Sequence, residues 1–354
     1  MTIQIQQLDL SQSDIWDEYV LAHDHATPYH LMSWGKAVEQ AYGFKCLFIA
    51  AMDTEKSHIV GLLPIVEMKT LRGKKQLCAL PYCDVGGILS NDDTITAAIR
   101  TYILNYAKTS NVLDVEIRGL DAEVLKVADA PKQEKVRMLL SLPEDADALM
   151  AQFKSKLRSQ IRKAEKNGLD FEVYRGKTIT SDVLNDFYSI ICKNMHNLGS
   201  PVHSLAWYQA IVEQYKNNVS IAIVKFEDLA VGAGLVLQCN DKAVIPWAST
   251  LSDYNRLAPN MLLYWAVLST SCENHAKLFD FGRSTVGEGT FNFKKQWGCD
   301  AQRLLWEQIE DGNSTMNKPG ETSSMRQFAE NTWRKMPLGF TKFWGPKIRP
   351  YISL

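Results

Sequence analysis

The chain has 354 residues, 46% of them hydrophobic and 22% charged, with nine tryptophans and a formal net charge of −1. This length exceeds one ordinary hydrophobic core and predicts about two domains, and the aromatic content excludes a disordered chain. The near-zero balance excludes nucleic-acid or membrane binding through overall charge, so any such binding needs a local patch.

Residues 1–8 lack the basic head and apolar run of a signal peptide, and no apolar segment approaches the ~20 residues that span a bilayer. A cytoplasmic location is expected. The seven cysteines are scattered, odd in number and without Cys-x-x-Cys spacing. They predict buried free thiols in a reducing compartment.

Helical spacing over 34–42 ends at Gly43. Strands follow at 46–51 and 59–66, joined by a polar hairpin, with a third at 76–80. Pro81 to Gly87 reads as a glycine-ended loop, 92–110 as a helix, 113–118 and 137–142 as strands. A long helix is predicted over 145–167, closed by Gly168. The pattern then restarts: strand 171–174, helices 180–198 and 205–216, a hairpin of 219–226 with 231–239, strand 242–250, helix 261–276 and strand 277–282. Helix, hairpin, strand, helix, strand thus occurs twice, without a residue-level repeat. Short serial strands around single helices predict a mixed α/β (α+β) fold rather than a Rossmann array. Residues 311–324 read as a loop, and 325–354 as a basic, aromatic tail.

Three stretches resemble the FemAB superfamily: Thr27-Pro28-Tyr29-His30 with Trp34 and Tyr42-Gly43; the basic run 154–168, KSKLRSQIRKAEKNG; and Phe279-Asp280-Phe281-Gly282-Arg283-Ser284 followed by the run 289–298, GTFNFKKQWG. The resemblance covers nearly the whole chain and is nearest to the exosortase- and exopolysaccharide-associated branch. It implies two fused acetyltransferase (GNAT)-like domains, each a mixed twisted sheet flanked by helices, at 1–150 and 151–312. A tail at 313–354 would pack back on the first. It further implies transfer of an acyl or aminoacyl group to an amine of a cell-envelope or exopolysaccharide precursor. The long helical arm of some tRNA-using members has no counterpart here.

Acyl transfer to an amine requires a deprotonated amine, a held donor carbonyl and a donor for the oxyanion. The resemblance assigns the third task to Lys294 of the Phe293-Lys294 pair, against the reading of a solvated surface lysine. Glu288, in a glycine-flanked turn, is the candidate base or simply an exposed turn residue. Arg283 and Ser284 end a strand, and Arg283 suits a phosphate or carboxylate, or a structural salt bridge. Trp247 and Ser249 end another strand near the acceptor site of relatives, where tyrosine is commoner than tryptophan. Core packing is the alternative for Trp247.

In the first domain Lys36 is a candidate for acceptor phosphate, and Tyr82 with Asp84 and Gly86-Gly87 forms a loop that shapes a cleft or merely turns. Lys154, Arg158 and Arg162, four residues apart, place three cations on one helix face for a polyanion or for water. At Ala258-Pro259 simple acetyltransferases carry a glycine loop that cradles coenzyme A pyrophosphate; a proline has no N–H to offer. No tightly bound cofactor and no metal are expected: acyl-CoA, an acyl carrier protein or aminoacyl-tRNA would serve as co-substrate. His23, His25 and His30 lack partners at ligand spacing and read as surface histidines. A small-molecule or lipid-linked sugar amine is the expected acceptor, with no DNA partner. A non-catalytic binding module and an ordinary acetyl-CoA enzyme are the rival readings. The basic aromatic tail suits an anionic membrane surface or packing against the protein, and packing is the expectation.

Overall fold

Capped amphipathic helices and alternating strands build two units in this computed structural model, which describes residues 2–112, 114–310, 313–317 and 324–354. One unit comprises the described residues of Met1–Val124, Gln302–Gly320 and Pro350–Leu354; the other comprises those of Leu125–Ala301 and Glu321–Arg349. The division thus falls near 124 rather than 150, and the segment expected as one tail is shared between the units.

The first unit opens with β1 (Ile3–Leu8) and α1 (Ser13–Ala22), which the sequence pattern did not announce. Next come α2 (Met32–Tyr42), β2 (Lys45–Asp53), β3 (His58–Lys69) and β4 (Lys75–Cys78). Gly43 ends α2 at φ 68°, a left-handed conformation that costs glycine nothing. The helix α3 (Asp93–Thr109) starts where the Asp92 carboxylate accepts the Thr94 and Ile95 N–H groups. Its buried Ile95, Ile99, Ile103 and Ala107 recur every fourth residue and pack on β2 and β3. The strand expected from 113 runs over β5 (Asp114–Lys126), with residue 113 outside the described residues.

The second unit holds β6 (Lys135–Ser141), α4 (Ala146–Gln152), α5 (Ser155–Lys166), β7 (Leu169–Arg175), α6 (Ser181–Leu198) and α7 (Leu205–Tyr215). It continues with β8 (Val219–Phe226), β9 (Leu229–Cys239), β10 (Lys242–Thr250), α8 (Pro259–Glu273), β11 (Leu278–Thr285) and α9 (Gly289–Lys295). The single helix expected over 145–167 is broken: Phe153 and Lys154 are extended, at ψ 145° and 147°. The break turns the Phe153 ring into the core, edge-on to Trp297 at 5.4 Å and Trp265 at 6.4 Å. Burial of that ring outweighs the two helical hydrogen bonds that continuity would add. β12 (Asp300–Glu310), also unannounced, and β13 (Asn313–Asn317) follow. The loop expected over 311–324 is therefore partly strand, and 311–312 and 318–323 lie outside the described residues. The chain closes with α10 (Ser324–Lys335) and α11 (Leu338–Ile348), which pack on α6 of the second unit. Of the residues after α11, 350–354 belong to the first unit.

Each unit has the same strand order. The first runs β1-β2-β3-β4-β5-β12, the second β7-β8-β9-β10-β11-β6. The first four strands of each are an antiparallel meander. The next step is a parallel pair, β4·β5 across α3 and β10·β11 across α8. The repeated element order seen in the sequence is this repeated topology.

Candidate active site

In the second unit β10 and β11 pair over only three residues each, Lys242 to Val244 against Leu278 to Asp280. Both strands then bulge. The β10 register shifts between Val244 and Trp247, around Pro246, which has no N–H for a ladder. The β11 register shifts between Asp280 and Arg283, around Gly282 at φ 72°. β10 nevertheless runs on to Thr250 and β11 to Thr285. Beyond the ladder β10 carries Trp247 and Ser249, and β11 carries Arg283 and Ser284.

Register sorts the side chains of β11 and β6 by face. Asp280 lies opposite Leu139, Arg283 opposite Arg137, and Thr285 opposite Lys135, all on one face. Ser284 lies opposite Val136 and faces the core, where its hydroxyl has no hydrogen-bond partner among the described residues. Like charges directly opposite on a sheet are destabilising, so Arg137 beside Arg283 needs an anion. Asp280 supplies one: its Oδ2 is 3.4 Å from Arg137 Nη1, and its Oδ1 accepts the Gly282 N–H at 2.7 Å, which fixes the bulge. Lys135 donates to Thr285 Oγ1. Its ammonium is pushed down from the ordinary lysine value by burial and by Arg283 and Arg326, while Glu288 opposes the shift. The paired strands β6 and β11 therefore present three cations and one buried carboxylate on a single face, a composition suited to a bound anion.

Lys294 is buried rather than a solvated surface lysine. Its Nζ donates to the Gly282 carbonyl at 3.1 Å and the Arg283 carbonyl at 2.9 Å, on the bulge that Asp280 also holds. Lys295 beside it is exposed. Phe293 packs edge-on to Tyr264 at 5.0 Å and against Trp297. Glu288 is exposed at the N-cap of α9 without a side-chain capping bond. Burial pushes the neighbouring Cys299 thiol far up, with Lys294 acting in the opposite sense.

Trp247 is half-buried against three rings, Tyr208 at 5.1 Å, His203 at 6.1 Å and Trp207 at 6.3 Å. His203 is stacked on Trp207 and buried, and burial with the nearby Arg349 charge holds its pKa well below the usual histidine value. His203 gave no sequence signal, since it sits in a loop with no periodicity. Arg137 and Asp280 gave one that went unused: ionisable residues at strand positions whose neighbours are all apolar.

The other candidates lie elsewhere. Arg158 is not on an open cationic face; its Nη1 donates to the Ala151 and Phe153 carbonyls at 3.2 and 3.1 Å, completing the end of α4 at the helix break. Lys154 and Arg162 are exposed. Lys36 is on α2 of the first unit, where its charge favours the ionised form of Asp17, whose carboxyl is raised chiefly by burial. Tyr82 is buried, and its hydroxyl donates to the Pro350 carbonyl at 2.6 Å while its N–H donates to the Ser353 carbonyl. Asp84 contributes its carbonyl to Trp306 Nε1. The Pro81 to Gly87 loop thus wraps around protein: Arg118, fully buried, bonds the Leu80 and Cys83 carbonyls and Glu116, and lies 4.3 Å over the Trp306 ring.

His23 and His30 are buried, not on the surface. His30 Nδ1 accepts the Thr27 N–H at 3.1 Å and its Nε2 faces the Gly87 carbonyl at 3.3 Å, so the Thr-Pro-Tyr-His element is a structural clasp. No metal-binding group of three ligands occurs among the described residues. All seven cysteines are buried and unbridged. No helix among the described residues is long and apolar enough to cross a membrane. Ahead of α8, Ala258 adopts φ 64° and Pro259 occupies the first helical position; the Met261 N–H is already bonded to the Ala258 carbonyl at 3.0 Å.

Residues 135–295 match the family model described as Acetyltransferase (GNAT) domain. A search of the curated proteins finds no match. Among solved structures the chain is similar to FemX, at 13% identity and a TM-score of 0.63 over 85% of this chain and 97% of that one. It is similar to a tandem GNAT protein from the clavulanic acid biosynthesis pathway, at 10% identity and 0.55 over 89% and 100%. It is also similar to L-PGS from Bacillus licheniformis, at 11% identity and 0.52 over 94% and 99%. At these identities the likeness is one of fold. The chain folds as two GNAT-like lobes, and the matched segment is the one whose strands diverge.

Proposed function

We propose that the second lobe transfers an acyl group from an activated donor to an amine of a cell-envelope or exopolysaccharide precursor. The observation that carries this reading is the short β10·β11 ladder, which opens beside Trp247, Ser249 and Arg283 and is braced from below by Lys294. The fold of FemX and of L-PGS supports transfer of this kind, and the GNAT match supports an acyltransferase.

In this reading the acceptor nitrogen attacks the donor carbonyl carbon, the carbon–sulfur or carbon–oxygen bond breaks, and the nitrogen proton leaves with the departing group. Glu288, exposed at the N-cap of α9, receives that proton first. Lys294 holds Arg283 in position and places positive charge near the oxyanion, whose negative charge develops only in the transition state. Arg283 with Arg137 and Lys135 receives an anionic group of a substrate. The donor is an acyl-CoA, an acylated carrier protein or an aminoacyl-tRNA. Pro259 and the occupied Met261 N–H leave a poor pyrophosphate cradle at α8, which favours the two macromolecular donors.

Native mass spectrometry with acetyl-CoA, acylated carrier protein and charged tRNA, each presented separately, tests this. Binding of one donor, followed by its consumption with an amine acceptor and loss of turnover in Lys294→Ala, is the expected result. Folded protein that binds none of the three, or a Lys294→Ala variant that turns over normally, would overturn it.

A further inference from the structure

A surface helix ordinarily hides its large apolar residues and shows its small ones. α11 does the reverse. Its buried positions are Thr341 and Gly345, four apart, and Gly345 lies so close to the loop after α6 that a Cβ would sit 3.0 Å from the Val202 N. Phe340, Phe343, Trp344 and Lys347, at i, i+3, i+4 and i+7, form an outward stripe. Their exposures are 44% for Phe340, 58% for Phe343 and 42% for Trp344, and on α10 Phe328 reaches 73%. Among the described residues every exposed phenylalanine, tyrosine or tryptophan lies between 328 and 351. Apart from half-buried Trp333, the tail aromatics expected to pack inward are thus the most exposed aromatics among the described residues.

The charge is as uneven as the apolar surface. Residues 326–349 carry six basic side chains and one glutamate, a net +5 in a chain whose total is −1. Lys347 places its ammonium 3.9 Å from the Phe343 ring centre and 4.9 Å from that of Trp344, so the cation sits on the aromatic stripe rather than away from it. The side chain can stretch its alkyl stem along the rings and keep its charge at a polar boundary.

We propose that the outer face of α10 and α11 docks on the surface of an anionic lipid bilayer. Exposed aromatics flanked by lysine and arginine match the boundary between headgroups and acyl chains. Protein–protein interface cores favour aromatics but are depleted in lysine, which Lys342 and Lys347 contradict here. The proposal stands on the helix surface alone and is independent of the reaction assigned to the second lobe.

Vesicle co-sedimentation of the full chain tests it, with 30% phosphatidylglycerol in phosphatidylcholine against phosphatidylcholine alone. Anionic vesicles should retain the protein about tenfold better in 0.1 M salt, and raising salt to 0.5 M should remove most of that preference. Phe343→Ser with Trp344→Ser should lower retention by about tenfold, and Lys342→Glu with Lys347→Glu should abolish the preference for anionic lipid. Both pairs alter exposed side chains, and an unchanged melting curve verifies that the fold is intact. Equal retention on the two vesicle types, or folded aromatic variants that bind like the parent, would overturn the proposal. So would a concentration-dependent dimer that the aromatic pair dissolves while vesicles bind neither form, since the face would then meet a second copy.

Discussion

The two lobes reach the same junction, a parallel strand pair that ends early, and treat it in opposite ways. In the first, β4 and β5 pair over Gln76 to Cys78 and Asp114 to Glu116, and the space beyond that short ladder is filled. Arg118 bonds the loop carbonyls, Trp306 lies beneath its guanidinium, and Tyr82 is bonded twice to the terminal segment. In the second, both strands bulge beyond the ladder, and Asp280 and Lys294 hold the bulge of β11 beside Arg283. The same topology thus yields a junction filled by one bonded arginine in one lobe and, in the other, a bulged junction flanked by charged side chains on one strand face.

The largest expected effect that would break this contrast is in the first lobe. Arg118→Leu removes a fully buried guanidinium and strands the Glu116 carboxylate and two carbonyls. Breaking a buried charge network costs about 3–5 kcal/mol. Urea unfolding should show that loss with little change in turnover. A variant of unchanged stability would mean that the packing, not the arginine, closes the lobe.

Lys294→Ala in the second lobe should behave in the reverse way. Loss of a preorganised oxyanion donor lowers kcat by about 10²–10³, or about 3–4 kcal/mol. The lost carbonyl bonds should cost stability only about 1–2 kcal/mol. Steady-state kinetics beside urea unfolding separates the two figures, and a stability loss that matches the activity loss would make Lys294 a structural brace. Gly282→Ala sharpens the comparison at smaller scale. A side chain at φ 72° costs about 1–2 kcal/mol and tilts Arg283, so KM for an anionic substrate should rise more than kcat falls.

Much of the fold was legible because its signals are local. Gly43 and Gly199 stop helices at positive φ, Asp92 and Thr180 start them, and β8 and β10 fall on the stretches their alternation marks. What escaped depends on tertiary choice. The 145–167 run has helical spacing throughout, and only the packing of Phe153 against Trp265 and Trp297 explains why it leaves the helix. That break in turn recruits Arg158, which spacing had placed with Lys154 and Arg162 as a polyanion grip. Tyr82 looked like a cleft residue because a glycine-ended loop reads alike whether it borders solvent or wraps Arg118. At the second lobe the resemblance named Lys294, Arg283 and Trp247 as candidates. It could not supply Arg137 or His203, which neighbour Arg283 and Trp247 only through strand register and a ring cluster.

His203 provides the smallest and most easily dissected test, because the first lobe's clasp histidine, His30, has hydrogen bonds to both ring nitrogens while His203 lies among rings. Burial and the Arg349 charge keep His203 neutral in the folded chain well below pH 6.5, its ordinary value. The unfolded chain therefore binds a proton near pH 6.5 that the folded chain refuses. Stability from this group is complete above pH 6.5 and declines as pH falls through 6.5 toward the depressed folded value, where the loss levels off. The slope approaches ~1.4 kcal/mol per pH unit in that window. His203→Phe keeps the stack on Trp207 and removes the titration, so its melting temperature should fall less between pH 7 and 5 than that of the parent. Parallel curves for the two proteins would show that His203 is protonated in place, and would give the ring cluster beside Trp247 a charge as pH falls below about 6.5.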